Sequence, residues 1–559
     1  MVELQATGKA AGGGEAMPLL ARLQRGALRA FSARLLHRPW PAGRVPEDLR
    51  QRIGERWPGD PKRGAAILSG EIEFAGELIR NPAPAWFPPA ASPEWMAAWH
   101  GFCWLADLAS ASDEAREAAR ALIQSWLEDV AARHPIVSRS DVLASRIFAW
   151  ITHLDELAGR ELDRPLRRAM LASLTVQLRQ LARTATWEGG ASARLRAAKG
   201  LLAGIIALDG SEARIARAAR LFERELRQLV LPDGGHRTRN PSAQLETLRD
   251  LIDIRAALRA ARIGPPAVLT NAIEAMAPIL RLFRHGDRRL ALFNGSIEED
   301  GVLVDLVLTR SEAKSPAPSQ AQHSGFQRLQ AGQSLLILDT GEPPPPGFDQ
   351  DAHAGLLSFE LSQGRERIIV NCGGYRGPNP AWRRLARASA AHSVLVAGDT
   401  NAVEIQDDGS LGRGPDTVQC ERAEEDGHQW LLASHDGYQR RFGLTYSREL
   451  YLASDGNDLR GEDKLTGQAG VDFAVRFHLY PAVEASLRAD GAAALLRLPS
   501  GAIWQLRATG AAMSLGESVY LGSGEGKKTQ QIVLSGTTGP TGAVVRWALR
   551  RETGTPPRA

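Results

Sequence analysis

Between Trp95 and about residue 285, apolar residues recur at the three- and four-residue spacing of a helix face. Trp95, Trp99 and Phe102 fall on one such face, and Leu245, Leu248, Leu251, Ile252 and Leu258 on another. The pattern predicts helices near 113–133, 140–158, 164–185, 193–208, 211–230, 242–262 and 266–284, broken by Gly, Asp or Pro. Consecutive helices with short connections pack antiparallel, in a bundle, a solenoid or a closed ring, and periodicity leaves all three open.

After His285-Gly286-Asp287 the period changes to two. Strands are predicted at 290–293, 302–308, 334–339, 357–361, 367–370 and 393–396. More follow near 417–422, 429–434, 444–453, 472–479, 493–498, 502–507, 531–534 and 543–549. Many short strands without intervening helices predict an antiparallel β-sandwich. Upstream, 41–93 is interrupted by prolines and reads as turns and short strands. Residues 1–40 read as a Gly/Ala-rich tail and a short basic amphipathic helix near 19–36. The chain is therefore expected to be a multidomain α+β protein: a tail (1–40), a helical domain (41–288) and a β-sandwich (289–559).

Composition narrows the function. At 559 residues the chain exceeds one ordinary core, and 43% apolar with 24% charged residues is the balance of a soluble globular protein. No stretch approaches the roughly 20 apolar residues of a membrane helix. The first 31 residues lack the apolar run of about 7 to 15 residues expected of a cleavable signal peptide. Three scattered cysteines, Cys103, Cys372 and Cys420, exclude a disulfide framework or a zinc ribbon. The net charge, 68 minus 64 or +4, is spread out. It favours an anionic partner weakly and shows none of the basic clusters of a nucleic-acid module.

Two polar islands carry candidate chemistry. The first, Leu231 to Ser242, contains the turn Asp233-Gly234-Gly235 followed by His236, Arg237, Arg239 and Asn240. Asn240 or Ser242 can cap the next helix, but capping does not account for His236 and the two arginines together. The second, Asp349 to His392, places His353, Asn371 and His392 at strand ends, with Tyr375, Arg376 and a basic run, Arg383, Arg384 and Arg387, between them.

The run His353-Ala-Gly-x-x-Ser-Phe-Glu-Leu, then Ile369-Val-Asn-Cys-Gly-Gly, then Ala390-Ala-His-Ser resembles the C-terminal domain of the heparinase II/III-like polysaccharide lyases. The resemblance implies an incomplete (α/α) toroid followed by the sandwich. It further implies β-elimination of a uronic-acid-containing, acidic polysaccharide in the cleft between them. It also implies a structural zinc position, here His353, Asn371 and His392, and a place in the cell envelope or periplasm. The missing signal peptide keeps the cytoplasm as the alternative. Several family positions differ: Asp351 stands for the first His of His-x-His-x-Asp, Gly355 for its Asp, and Asn371 for the strand-end Asp. Ala243 and Gln244 stand for the Tyr-His of the lyase loop, and Ser192-Ala193-Arg194 for its Asn-His pair.

β-Elimination needs a group that neutralises the carboxylate, a base for the α-proton and an acid for the leaving oxygen. The candidates are Arg239 and Asn240 for the first, His236 and His353 for the second, and Tyr375 or Tyr438 for the third. Arg237, Arg328 and Arg376 are candidate substrate contacts, since guanidinium pairs with carboxylate in a bidentate fork. Two rival readings stand beside the lyase. One is a non-catalytic glycan-binding or envelope-assembly protein on the same scaffold. The other is a hydrolase using paired carboxylates such as Asp351 and Glu360. The sequence sets no oligomeric state.

Overall fold

The computed structural model describes residues 45–53, 56–81, 86–129, 134–159, 163–187 and 190–552. The tail and the basic helix expected at 19–36 lie outside them.

The helical domain opens inside the stretch expected to be irregular. Asp60 caps α1 (Pro61–Leu68) by accepting from the Lys62 and Arg63 N–H groups, and Pro61 occupies the first turn, where its missing N–H is not needed. The hairpin β1 (Glu71–Phe74) and β2 (Glu77–Arg80) turns through Ala75 and Gly76, both at positive φ. There follow α2 (Pro93–Gly101), α3 (Leu105–Ala111), α4 (Asp113–Asp129), α5 (Ser140–Leu157) and α6 (Arg164–Thr184). Next come α7 (Ala191–Leu208), α8 (Glu212–Leu229), α9 (Pro241–Ala260) and α10 (Ala267–Leu282). The seven helices from α4 to α10 match the predicted ones within a few residues. Phe102 ends α2 instead of extending it, because it adopts the left-handed conformation at φ 56°. Its ring packs among Trp86, Trp104, Trp126 and Trp150. Burying each such ring stabilises by roughly 2–3 kcal/mol.

The expectation of a strand at 302–308 was wrong. Gly301–Ser311 forms α11, capped by the Asp300 carboxylate, which accepts from the Val302 N–H at 3.0 Å. Val304, Val307 and Leu308 are buried and Val302 is exposed, which is a helical spacing that the β-branched residues disguised. Residues 290–293 also form no strand; they are buried and paired only through a bridge from Leu290 to Arg284. Since α11 packs on α9 and α10, the helical layer runs to Ser311, past the boundary expected near 288.

The remaining chain is mostly strands. In order they are β3 (Gln320–Ala321), β4 (Phe326–Ala331), β5 (Ser334–Asp339), β6 (Phe359–Gln363), β7 (Glu366–Val370) and β8 (Leu395–Ala397). Between β7 and β8 lies a short helix, α12 (Pro380–Arg387). Then come β9 (Val418–Glu425), β10 (His428–His435), β11 (Thr445–Leu452), β12 (Asp458–Thr466), β13 (Asp472–Leu479) and β14 (Glu484–Leu487). The last are β15 (Ala493–Arg497), β16 (Ile503–Thr509), β17 (Ala512–Tyr520), β18 (Lys527–Thr537) and β19 (Ala543–Arg551).

These strands form two antiparallel sheets. One runs β14, β15, β16, β19, β12, β11, β10, β9; the other runs β17, β18, β13, β7, β6, β5, β4, β3, with β8 also paired to β13. Between them Trp547 of β19 stacks on Phe359 of β6 with centroids 5.9 Å apart. Buried Arg448 bonds Asp463 at 2.7 Å and the Leu357 and Ser393 carbonyls.

The two domains share one core. Phe283 and Phe293 of the helical side contact Phe326 of β4 at 4.7 and 5.2 Å. The cluster continues into Leu335 and Ile337 of β5.

Candidate functional site

A cleft of about 560 Å³ lies between the domains. The helical side contributes Glu94, Ser192, Arg196, Thr238, Asn240, Ala243 and Glu246; the sandwich side contributes Asp351, His353, Tyr375, Arg376, Arg383 and Arg387. The two polar islands of the sequence therefore meet in one hollow.

Asn294 clasps them together. Its Nδ2 donates to the Arg239 carbonyl at 3.2 Å, and its Oδ1 accepts from the His353 backbone N–H at 3.2 Å. Asn240 lies beside it with both ends of its amide bonded. Oδ1 caps α9 by accepting from the Ser242 and Ala243 N–H groups at 2.8 and 3.2 Å, and Nδ2 donates to the Asn294 carbonyl at 2.7 Å. Asn240 thus lines the cleft with its Oδ1 committed to the cap and one Nδ2 hydrogen to Asn294, which leaves a single N–H for a ligand.

Of the other helical-side candidates, none lines the cleft. Arg239, 5% exposed, forms an ion pair with Asp339 and donates to the Ser324 and Glu342 carbonyls at 2.8 and 2.9 Å. It joins the domains and is out of reach of a substrate carboxylate, which corrects its expected role. His236 is buried, its Nδ1 2.7 Å from the Thr238 hydroxyl, and burial lowers its pKa to about 4. Gln244, at the position of the family's histidine, holds this turn by accepting from the His236 N–H at 2.6 Å and donating to the Gly234 carbonyl at 2.8 Å. Arg237 donates to the Gln228 carbonyl at 2.7 Å and covers Phe348 from behind the cleft wall.

On the sandwich side, His353, Tyr375 and Arg376 do line the cleft. Tyr375 stacks on Trp382 of α12 at 6.2 Å, and Arg376 pairs with Glu299 at 3.1 Å. Two candidates are displaced from it. Tyr438 is buried with its hydroxyl donating to the Leu395 carbonyl at 3.2 Å, and burial raises its pKa. Arg328 is spent on the Leu282 and Arg284 carbonyls at 2.9 and 3.2 Å. The paired carboxylates also separate: Asp351 is in the cleft, whereas Glu360 is fully buried, 3.1 Å from His285 Nε2 and bonded to the Asn371 N–H.

The residues for the implied zinc are close together but do not fit a metal. His353 Nδ1 and His392 Nε2 are hydrogen-bonded to each other at 3.0 Å. Asn371 accepts from the Ser393 N–H at 2.9 Å and donates to the Leu292 carbonyl at 3.1 Å. Zinc takes lone pairs from His, Cys and carboxylate; here the imidazole atoms face one another and the third donor is a neutral, committed amide. A Cβ at Gly355 would stand 2.6 Å from the His392 ring, so the ring occupies space that a side chain at 355 would need.

Asn294, Arg196, Thr238 and Glu94 belong to the cleft without a motif in the sequence to mark them. Asn294 lies in a stretch expected to adjoin a strand, where only its positive φ of 48° sets it apart. The others are single polar residues on helices, in the turn or near a helix start, with no motif around them.

Residues 313–548 match the family model for the heparinase II/III-like C-terminal domain. The whole fold is similar to the crystal structure of heparinase III, with a TM-score of 0.73 at 13% identity over 97% of this chain and 93% of that one. It is also similar to heparan sulfate lyase HepC from Pedobacter heparinus, with a TM-score of 0.60 at 14% identity over 97% and 92%. In sequence, the chain is 30% identical over 542 residues to FtsZ-localized protein C of Caulobacter vibrioides (strain NA1000 / CB15N), covering 91% of each. The helical toroid, the sandwich and these matches agree, and the chain belongs to the heparinase II/III-like family.

Proposed function

We propose that the protein binds a segment of an acidic polysaccharide in the interdomain cleft and leaves it intact. One observation carries this reading: Ala243 lines the cleft where the resemblance puts the lyase tyrosine, so the position that should protonate the leaving oxygen holds a methyl group. The neutralising amide is weakened, since Asn240 keeps one Nδ2 hydrogen after capping α9 and bonding the Asn294 carbonyl. What remains suits recognition. Arg196, Arg376 and Arg383 line the hollow, and Arg383 has no ion-pair partner among the described residues. A guanidinium there can take a uronate carboxylate. The relative named for its localisation with FtsZ extends to this chain the proposal of a place among FtsZ-localized proteins.

A lyase is the second reading, favoured by the presence of His353 and Tyr375 in one cleft as base and acid. Incubation with heparan sulfate, alginate and polygalacturonate separates the two. Salt-sensitive binding without a rise in ultraviolet absorbance is expected. A rise, which marks the unsaturated product, overturns the binding-only reading in favour of the lyase; absence of binding to all three polymers overturns both.

A further inference from the structure

The histidine pair at the cleft wall has a determined proton arrangement. The Ala388 carbonyl only accepts, so His392 Nδ1, 2.8 Å away, carries a hydrogen. His392 is 1% exposed; the Glu360 carboxylate acts on it from a distance but is bonded to His285 and the Asn371 N–H, and burial prevails, lowering the His392 pKa to about 4. The ring is therefore neutral and its Nε2 is a lone pair. His353 Nδ1, 3.0 Å from that lone pair, must donate to it. Burial, with the neighbouring His392 and Arg387, holds the His353 pKa well below its ordinary value, so this ring is neutral too and its Nε2 is unprotonated. It has no hydrogen-bond partner among the described residues and is not fully enclosed, on a residue that lines the cleft.

The surroundings hold this arrangement against a metal. Ion binding between the rings would require His353 Nδ1 to lose its hydrogen and the contact to open. It would also require a third donor, which neutral Asn371, already bonded to Ser393 and Leu292, does not supply. Gly355 offers no side chain at all.

We propose that this chain has replaced the zinc position of its family by a metal-free relay, from the Ala388 carbonyl through His392 to His353, which presents one fixed lone pair to the cleft. Its ligand is a hydrogen-bond donor, a hydroxyl or N–H of the bound sugar. His392 is a positioning residue in this arrangement.

Three measurements on the full chain test it. After chelator treatment, titration with zinc chloride is expected to show no stoichiometric binding and no rise in Tm; one zinc held per chain overturns the proposal. Asn371→Asp is expected to take up about one equivalent, because the carboxylate completes a His-Asp-His set; failure to do so overturns the assignment of metal exclusion to Asn371. Nitrogen-15 NMR of histidine-labelled protein is expected to place the His353 proton on Nδ1, and His392→Phe to mix the tautomers. A proton on Nε2, or a tautomer indifferent to His392, overturns the relay. The sugar contact rests on the glycan-binding reading and fails separately. Equal polymer binding by wild type and His353→Phe removes the contact alone, whereas binding by neither removes the reading beneath it.

Discussion

Arg239 of the helical domain and Asp339 at the end of β5 are ion-paired across the domain junction, each with its side chain 5% exposed. The guanidinium lies over Phe326 at 4.8 Å, and a Cβ at Gly341 would stand 2.4 Å from it, so the strand end is shaped around this one side chain. Arg239 itself sits at φ 57°, which turns its side chain out of the capping loop and into the sandwich. Truncation would leave Asp339 buried without its partner, and such losses cost about 3–5 kcal/mol. Arg239→Ala is therefore expected to lower the denaturant midpoint strongly. An unchanged midpoint would remove Arg239 from the junction.

Two arginines of α12 should separate binding from stability. Arg387 is buried and donates to the Ala352, Gly409 and Asp349 carbonyls at 2.7, 2.7 and 3.2 Å. Arg383 is exposed at the cleft. Arg387→Ala is expected to cost about 1–3 kcal/mol of stability from stranded carbonyls. Arg383→Ala is expected to keep the wild-type Tm and to weaken uronate-polymer binding several-fold. Unfolding profiles beside affinity measurements at two salt concentrations check both, and the opposite assignment would refute the description of the cleft.

Tyr438, one of the candidate acids, should prove structural. Its hydroxyl makes one bond to the Leu395 carbonyl inside the sandwich. Tyr438→Phe should cost about 1 kcal/mol and leave polymer binding as it was. Loss of binding with normal stability would return it to the site.

Acid should destabilise the fold before the carboxylates titrate. Burial lowers the pKa of His236 and His435 to about 4 and of His100 to about 3, against an ordinary value of 6.5. A lowered histidine pKa means the unfolded chain binds the proton first, so the contribution is intact above pH 6.5 and is lost as pH falls toward the folded values. Each group withdraws roughly 1.4 kcal/mol per pH unit within that window. Tm measured from pH 7 to pH 4.5 should fall steadily, and a flat profile would show that these imidazoles reach solvent.

The helices from α4 to α10 were legible because each has a repeated apolar face and a breaker at its end. The strands at 334–339 and 472–479 were legible from a short apolar run, Leu335 to Leu338, and from the alternation of Phe473, Val475, Phe477 and Leu479. β12 was not, because its inward face carries Gly461 and Asp463 beside two leucines. Asp463 is tolerated there only because Arg448, Tyr446 and Trp547 all donate to it from neighbouring strands. α11 was misread because a helix buried on one side and rich in valine has the composition of a strand.

The chain's own order of residues determined the two kinds of layer, the two polar islands and the resemblance carried by His353, Asn371 and His392. Tertiary structure alone decided which polar groups are left for a ligand. A side chain's hydrogen-bonding capacity is finite, and only packing shows that Arg239 and Tyr438 have spent theirs on the fold and that His236 is buried away from the cleft, while Arg383 and His353 Nε2 are left at it.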